Sequence, residues 1–467
     1  MPSIDAPAPE ASVFGPDRRA LTIGILLSIA AFAVEGMGVV PALPTAVREL
    51  NGLALFGWAF SGFMLAWLVG SVWAGAAADA FGPRRTMALG LFGFGAGLLL
   101  AATARGMPQF LLGRALQGAG GGAILASAYV AIARGYPDVL RARMMALTSS
   151  VWIIPAVVGP AASGLVTQWF GWRWVFAGVA PLLLVVAALV LRPLRSFDLP
   201  GPRAASTGTW SSLRLAVGSG LVFAAPSFCA IGWPASVAAL VLGVGLAIPA
   251  IRRLLPAGTW RAGRGLPAAL AVRAALAFAF FGSEAFIPLG AAELRGQTPA
   301  AAALALTAAA LGWITSAWLQ ERIEARRGTG GRALLVRVGF ALLAVAISIV
   351  TAVLLTTTPF VLVAFGWLLG GAGCGLAFSA GGLLCLAAAP EGKEGEVSGQ
   401  LQIAECLGTS SGTGLGGALL AVFADARWST GTAFLVVFAG TLLSALVGVA
   451  IAGRAAGDRA AGASEGA

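Results

Sequence analysis

Four ionisable side chains lie inside long apolar runs: Glu35 in "AFAVEGMGVVPALP", Arg114 in "GRALQGAGGG", Glu284 in "FFGSEAFIPLG" and Glu405 in "LQIAECLG". If these runs are helices, a rise of ~1.5 Å per residue places each glutamate roughly 12 to 22 Å from the nearest end of its run. A carboxylate at that depth in hydrocarbon is costly and needs a compensating role. Desolvation favours the neutral acid and a nearby cation favours the charged one, so such a group can alternate between the two as its surroundings change. That is the chemistry of proton coupling, with Arg114 as the competing positive charge. A fixed buried ion pair of Arg114 with one glutamate is the static alternative. Glu284 and Glu405 can instead bind a cationic substrate directly or hydrogen-bond a broken helix.

Other chemistries are missing their residues. The chain has no histidine, and its cysteines (Cys229, Cys374, Cys385, Cys406) sit in apolar runs without CxxC spacing, as packing residues do. A metal site or a histidine-based catalytic group is therefore not expected, nor a cofactor, and no G-x-x-x-x-G-K-[ST] loop for nucleotide appears. An embedded enzyme would need a nucleophile and a base together, yet the acids fall on separate runs. The net charge of +11 would suit nucleic acid only if it lay on a folded basic surface, and its placement in short loops speaks against that.

The elements that must position the four charges follow from composition. With 58% hydrophobic and 10% charged residues over 467 positions, most of the chain must meet lipid or other apolar helices, as an all-α integral membrane protein. Short alternating segments, the mark of a barrel, are not seen. Spans are read near 21–46, 54–78, 86–104, 109–133, 144–168 and 174–191, then 213–231 and 234–251, then 268–291, 298–319, 333–356, 360–388, 396–424 and 430–453. The implied organisation is a tail (1–20), a six-helix bundle (21–192), a loop with Pro200 and Pro202 (193–212), two linker helices (213–253), a loop (254–267), a second six-helix bundle (268–454) and a tail (455–467). The linker pair, with its Pro- and Gly-rich hinge, can alternatively be read as a re-entrant hairpin.

Placing both termini in the cytosol leaves only Arg48, Arg105, Arg173, Arg295 and Arg427 outside and Arg114 within a helix, with every other Lys and Arg on the cytosolic side. The proline- and acid-containing start, ending in Arg18 and Arg19, reads as a cytosolic tail and not as a cleaved signal. The two six-helix sets echo each other. "GAAADAFGPRR" carries Asp79 before Arg84 and Arg85, and "AWLQERIEARR" carries Glu321 before Arg326 and Arg327 at the same offsets, as in a duplicated half.

At this level the chain resembles the major facilitator superfamily, and within it the drug:proton antiporter branch with fourteen transmembrane helices. Gly75, Asp79, Gly82, Arg84 and Arg85 match G-x-x-x-D-x-x-G-R-R, except that Pro83 precedes the arginines and Ala80 stands where an arginine is usual. Arg114, Gln117, Gly118 and Gly120 match the motif of the fourth helix. "PAVVGPAASG", with Pro155, Gly159, Pro160 and Gly164, resembles the antiporter motif of the fifth, with Pro155 in place of its first glycine. "EGMGVVPALP" resembles D-x-x-x-V-x-x-A-L-P with Glu35 for the aspartate, and Glu405 stands where the family more often has an arginine. The resemblance implies alternating access between two pseudo-symmetric halves, and a monomer.

Each motif also has a direct physical reading. Asp79 and the arginines can pair with each other and with neighbouring helix termini, latching one conformation. Gly118 and Gly120 allow close helix approach. Pro160 after Gly159 predicts a kink that seals the bundle against leak. Trp172 and Trp174 in "FGWRWVF" read as membrane-interface anchors. Trp67, Trp152, Phe281, Trp313, Phe378 and Gln402 are candidate walls of a cavity with apolar faces and little polar specificity. The function expected is a proton-driven exporter of amphipathic, cationic small molecules in the cell membrane, surrounded by lipid. A dedicated exporter of a lipid or secondary metabolite is the alternative. A nutrient importer or a non-transporting receptor fits the sparse polar lining less well.

Overall fold

The computed structural model describes residues 12–16, 18–197, 207–230, 232–327, 329–390, 393–425 and 429–456, and every regular element among them is helical. The first half comprises α1 (Arg19–Glu49), α2 (Trp58–Phe81), α3 (Pro83–Ala102), α4 (Met107–Gly135), α5 (Asp138–Ser150), α6 (Ile153–Phe170), α7 (Arg173–Ala177) and α8 (Ala180–Leu191). A linker pair follows, α9 (Thr207–Ala224) and α10 (Trp233–Leu254). The second half holds α11 (Leu266–Arg295), α12 (Pro299–Arg327), α13 (Arg332–Leu355), α14 (Val361–Ala387), α15 (Glu394–Asp425) and α16 (Thr430–Ile451). Pro200, Pro202, Arg427 and most of both tails lie outside the described residues, as do the side chains of Cys229 and Arg327.

Thirteen helical segments among the described residues are long and apolar enough to cross a membrane. Helix α9 is not one of them, because Thr207 to Arg214 make its first half polar. It nevertheless runs the length of a span: Gly208 lies by Val72 of α2 and Gly220 by Trp58, fourteen residues away along α2. Ala225–Ala230 continue it as a 3₁₀ turn before α10 returns, with Gly218 of α9 against Gly243 and Ala247 of α10. The pair is thus an antiparallel hairpin of two long helices.

Proline placement explains two interruptions. The fifth span is broken at Val151 and Trp152, between α5 and α6. Pro155 has no N–H to offer the carbonyl of Val151, so the helical ladder lapses there. Pro160, where a kink is expected, lies inside α6, which continues through it. In the sixth span, Pro181 in the first turn of α8 likewise follows the gap at Gly178 and Val179.

Within each half the helices pair alike. In the first, α4 packs between α2 and α3, and α1 lies on α6 and α8; in the second, α14 packs between α12 and α13, and α11 lies on α15 and α16. Small residues make these approaches possible. A β-carbon at Gly118 would lie 3.1 Å from the backbone nitrogen of Trp67, and one at Gly120 would lie 2.7 Å from the carbonyl oxygen of Gly90.

Trp172 departs from its anchor reading. It is 1% exposed, packs edge-on to Phe110 and Phe176 with centroids 5.6 and 6.0 Å away, and donates its indole N–H to Glu49 at 2.7 Å. A neighbouring helix end with an acceptor outcompetes the lipid interface for this ring. Trp174, by contrast, is exposed.

The face bearing the start of α1 and the end of α16 is termed the terminal face. The halves meet near the opposite one. There Arg48 of α1 binds Glu293 of α11 at 2.7 Å, and Phe56 packs tilted against Phe286 with centroids 5.4 Å apart. Gly57 sits against Thr413 and Gly417 of α15, while Gly164 of α6 sits against Pro299, Ala300 and Ala303 of α12. Deeper in, the thiol of Cys406 on α15 donates to the carbonyl of Met64 on α2 at 3.1 Å.

Candidate functional site

Each half contains one buried arginine held against one glutamate. In the first, Glu35 of α1 is 1% exposed and Arg114 of α4 is 2% exposed, and Nη1 of Arg114 donates to Oε1 of Glu35. The same guanidinium donates to the carbonyl of Ala59 at 3.0 Å and to Oε1 of Gln117 at 2.6 Å, and lies over the ring of Phe63, 4.2 Å from its centroid. Gln117 is fixed in turn by donating to the carbonyl of Gly97 at 3.0 Å. Four helices, α1 to α4, therefore converge on one charge pair. Oε2 of Glu35 is buried without a hydrogen-bond partner. A buried carboxylate so held leaves one lone-pair face free to take a proton.

The second half corrects the charge assignment. Arg273, counted from sequence among the cytosolic arginines, is inside α11 and 4% exposed. Its Nη1 lies 3.9 Å from Glu405 of α15, its Nη2 donates to the carbonyl of Phe378 at 2.9 Å, and its guanidinium sits 3.6 Å from the centroid of the Phe378 ring. Nη1 itself is buried without a hydrogen-bond partner. The signal was present in "LPAALAVRAALAFAFFG", where no other charge stands between Arg264 and Glu284. The span read over 268–291 already contains it, so the charge placement and not the span boundary was at fault.

Glu284 stands apart from both pairs. It lies three turns further along α11, is half-buried, and has no hydrogen bond or ion pair among the described residues.

The predicted wall residues separate into two groups. Phe281, Trp313 and Phe378 join Phe280 and Trp367 in an aromatic cluster beside Arg273, with Trp313 4.9 Å from Phe378 and 6.3 Å from Phe281. Trp152 packs edge-on to Phe32 at 5.8 Å in the first half, and Trp67 of α2 is half-buried with its indole N–H unpartnered. Gln402 is exposed, one turn before Glu405 on α15.

At the terminal face Gly82 takes φ of 89°, ψ of 154° between α2 and α3, a conformation open essentially to glycine alone. Asp79 pairs with Arg134 of α4 at 3.3 Å and not with Arg84 or Arg85, because the turn carries those arginines onto the next helix. Arg84 donates to the carbonyl of Leu191 at the end of α8, 3.2 Å away, while Arg85 is exposed and Gly75 faces open space. In the second half Glu324, three residues after the Glu321 that the repeat aligns with Asp79, grips Arg332 at the start of α13 through both oxygens at 2.9 and 3.1 Å. In α6, Pro155 and Pro160 are buried. A β-carbon at Gly159 would lie 3.3 Å from that of Met37, and one at Gly164 2.8 Å from that of Ala303.

Residues 21–413 match the family model of the Major Facilitator Superfamily. Multidrug resistance protein 3 of Bacillus subtilis (strain 168) is 30% identical over 172 residues, 37% of this chain and 34% of that protein. An uncharacterized MFS-type transporter of Mycobacterium tuberculosis (strain ATCC 25618 / H37Rv) is 26% identical over 430 residues, 87% of this chain and 60% of that protein. The chain thus spans about a third of the Bacillus relative's length and 60% of the mycobacterial one's. Among solved structures, a POT family transporter in complex with 5-aminolevulinic acid superposes with a TM-score of 0.70 over 96% of this chain and 98% of its own, at 14% identity, a likeness of fold alone. Family match, two matching helical halves and buried charges across them agree: the chain belongs to the Major Facilitator Superfamily, a superfamily of transporters and not of enzymes.

Proposed function

We propose that this transporter is a proton-coupled antiporter that exports amphipathic, cationic small molecules by alternating access. The observation that carries the reading is the Glu35–Arg114 pair, buried where four helices meet and retaining one unpartnered carboxylate oxygen. A proton delivered to that oxygen cancels the charge that Arg114 is held by. The guanidinium then rests on Ala59, Gln117 and the ring of Phe63, and α1 loses this polar tie to α4. Loss of the proton on the other side of the cycle restores the tie. The group can thus couple a proton gradient to a rearrangement within the first half.

The direction of export follows from charge placement: arginines crowd the terminal face, which this reading assigns to the cytosol of a cell membrane. With the halves joined near the opposite face, the described form is the one that would accept cargo from the cytosol. Asp79, Arg84, Arg134 and the Glu324–Arg332 pair act on that side as latches that hold the helix ends of each half together. A cationic cargo is favoured by the free carboxyl of Glu284 and the aromatic faces of Phe281, Trp313 and Phe378 near it. The Bacillus relative, named for multidrug resistance, supports the same cargo class. A monomer in lipid suffices for this cycle.

In proteoliposomes given a pH step and a panel of fluorescent cations, Glu35→Gln is expected to abolish gradient-driven transport while the protein inserts normally. Transport of that variant at the unmodified rate would reject the role of Glu35.

A further inference from the structure

The hairpin of α9 and α10 carries charges that the protein does not balance. From 199 to 283 the sequence holds no aspartate or glutamate, yet Arg214 of α9 and Arg252 and Arg253 of α10 are all exposed. None of the three forms an ion pair among the described residues. The guanidinium of Arg214 lies 5.9 Å from the centroid of the Trp210 ring, one turn earlier in α9, so it reaches back toward the terminal face. Gly218 against Gly243 and Ala247 fixes the antiparallel register, which brings Arg252 and Arg253 to the level of Trp210. That level is within the helical layer. Gly208 lies by Val72, nine residues before α2 ends at Phe81, so α9 begins roughly 13 Å short of that end and Arg214 stands roughly 9 Å further in.

We propose that this end of the hairpin binds a phospholipid with a net-negative headgroup, its phosphate on the three arginines and its acyl chains along the exposed apolar side chains of Leu213, Val217 and Ile248. An arginine facing hydrocarbon is costly, and an anion that arrives with its own chains removes that cost. The planar guanidinium takes phosphate oxygens in pairs, and each basic residue near an anionic membrane surface adds to the attraction. A zwitterionic lipid would bring an ammonium of its own, which three unbalanced cations repel. Free phosphate would leave the apolar face beside the arginines uncovered. The hairpin touches α2 through Gly220 and α15 through Phe223, so a lipid held here sits on the element that bridges the two halves. This inference is independent of what the transporter carries and of what drives it.

The test titrates the full chain in detergent with short-chain phosphatidylglycerol or phosphatidylcholine and counts bound lipid by native mass spectrometry. Wild-type protein is expected to bind the glycerol lipid at least roughly tenfold more tightly than the choline lipid. Arg214→Gln should weaken the glycerol lipid roughly fivefold, and Arg252→Gln combined with Arg253→Gln roughly twenty-five-fold, with the choline lipid unaffected. Arg322→Gln removes an exposed arginine at the terminal end of α12 and should change neither. Equal weakening by Arg322→Gln would show a response to net charge alone and overturn the site. So would undiminished binding of phosphatidylglycerol to the hairpin variants. Inorganic phosphate or glycerol phosphate that displaces the lipid at equal concentration would mean a site for free anions and overturn the lipid. Should the hairpin variants fail to fold, equal affinity of wild type for the two lipids overturns the proposal alone.

Discussion

Without Arg114 the buried Glu35 would be a bare carboxylate, whereas Arg114 without Glu35 keeps Ala59, Gln117 and the ring of Phe63. Removing one member of a fully buried pair strands a charge in apolar surroundings, which costs about 3–5 kcal/mol in soluble proteins. Arg114→Ala is therefore expected to lower the unfolding midpoint in detergent sharply, and adding Glu35→Gln to it should recover much of the loss. A pair of additive losses in that double variant would show that the two side chains do not interact. At this scale the sequence was informative about depth and silent about partners. Glu35 was legible because no charge accompanies it for many residues, and the same isolation applies to Arg273, whose place close to the start of the span read from 268 left it grouped with the loop arginines. The pairing of Arg273 with Glu405 joins residues far apart in the chain, and no local spacing encodes that.

For the elements, prolines and glycines decide more than apolar periodicity. Span positions were readable to within a few residues from hydropathy, but the break ahead of Pro155 was not. The Gly159–Pro160 pair carried the more obvious kink signal, and only the lost bond to Val151 shows which proline interrupts the helix. Likewise, Trp172 looked like its neighbour Trp174 until the fold supplied Glu49 and Phe110 around it. Gly164 is where an element-level test is sharpest, since a side chain there meets Ala303 and the carbonyl of Pro299 at 2.8 and 2.9 Å. Gly164→Val should push α6 from α12, and a cysteine introduced at Ala300 should then react faster with a membrane-impermeant maleimide from the α1–α2 loop side. Unchanged labelling would mean that the α6–α12 seam does not govern access on that face.

The whole molecule is two similar bundles in contact near one face, and the energies of those contacts differ. Arg48 and Glu293 are 52% and 25% exposed, so their bond contributes ~0.2–1 kcal/mol and Glu293→Gln should shift the balance of conformations by no more than about fivefold. Gly417 is another matter, because a β-carbon there would come within 2.6 Å of the backbone nitrogen of Gly57. Spin labels on the loops 50–57 and 296–298 should report a small change in separation for the first variant and a large one for Gly417→Val. Equal shifts would show that the exposed ion pair, and not backbone proximity, holds the face shut.

The hairpin of α9 and α10 lies along the seam between the bundles: Gly220 rests on Trp58 of α2, while Phe223 reaches Gly414 of α15. It straps one flank of the two halves, while on the other α6 and α12 meet directly. The seam between the halves is thus covered by a hairpin on one flank, and the near two-fold likeness of the helices stops at what surrounds them.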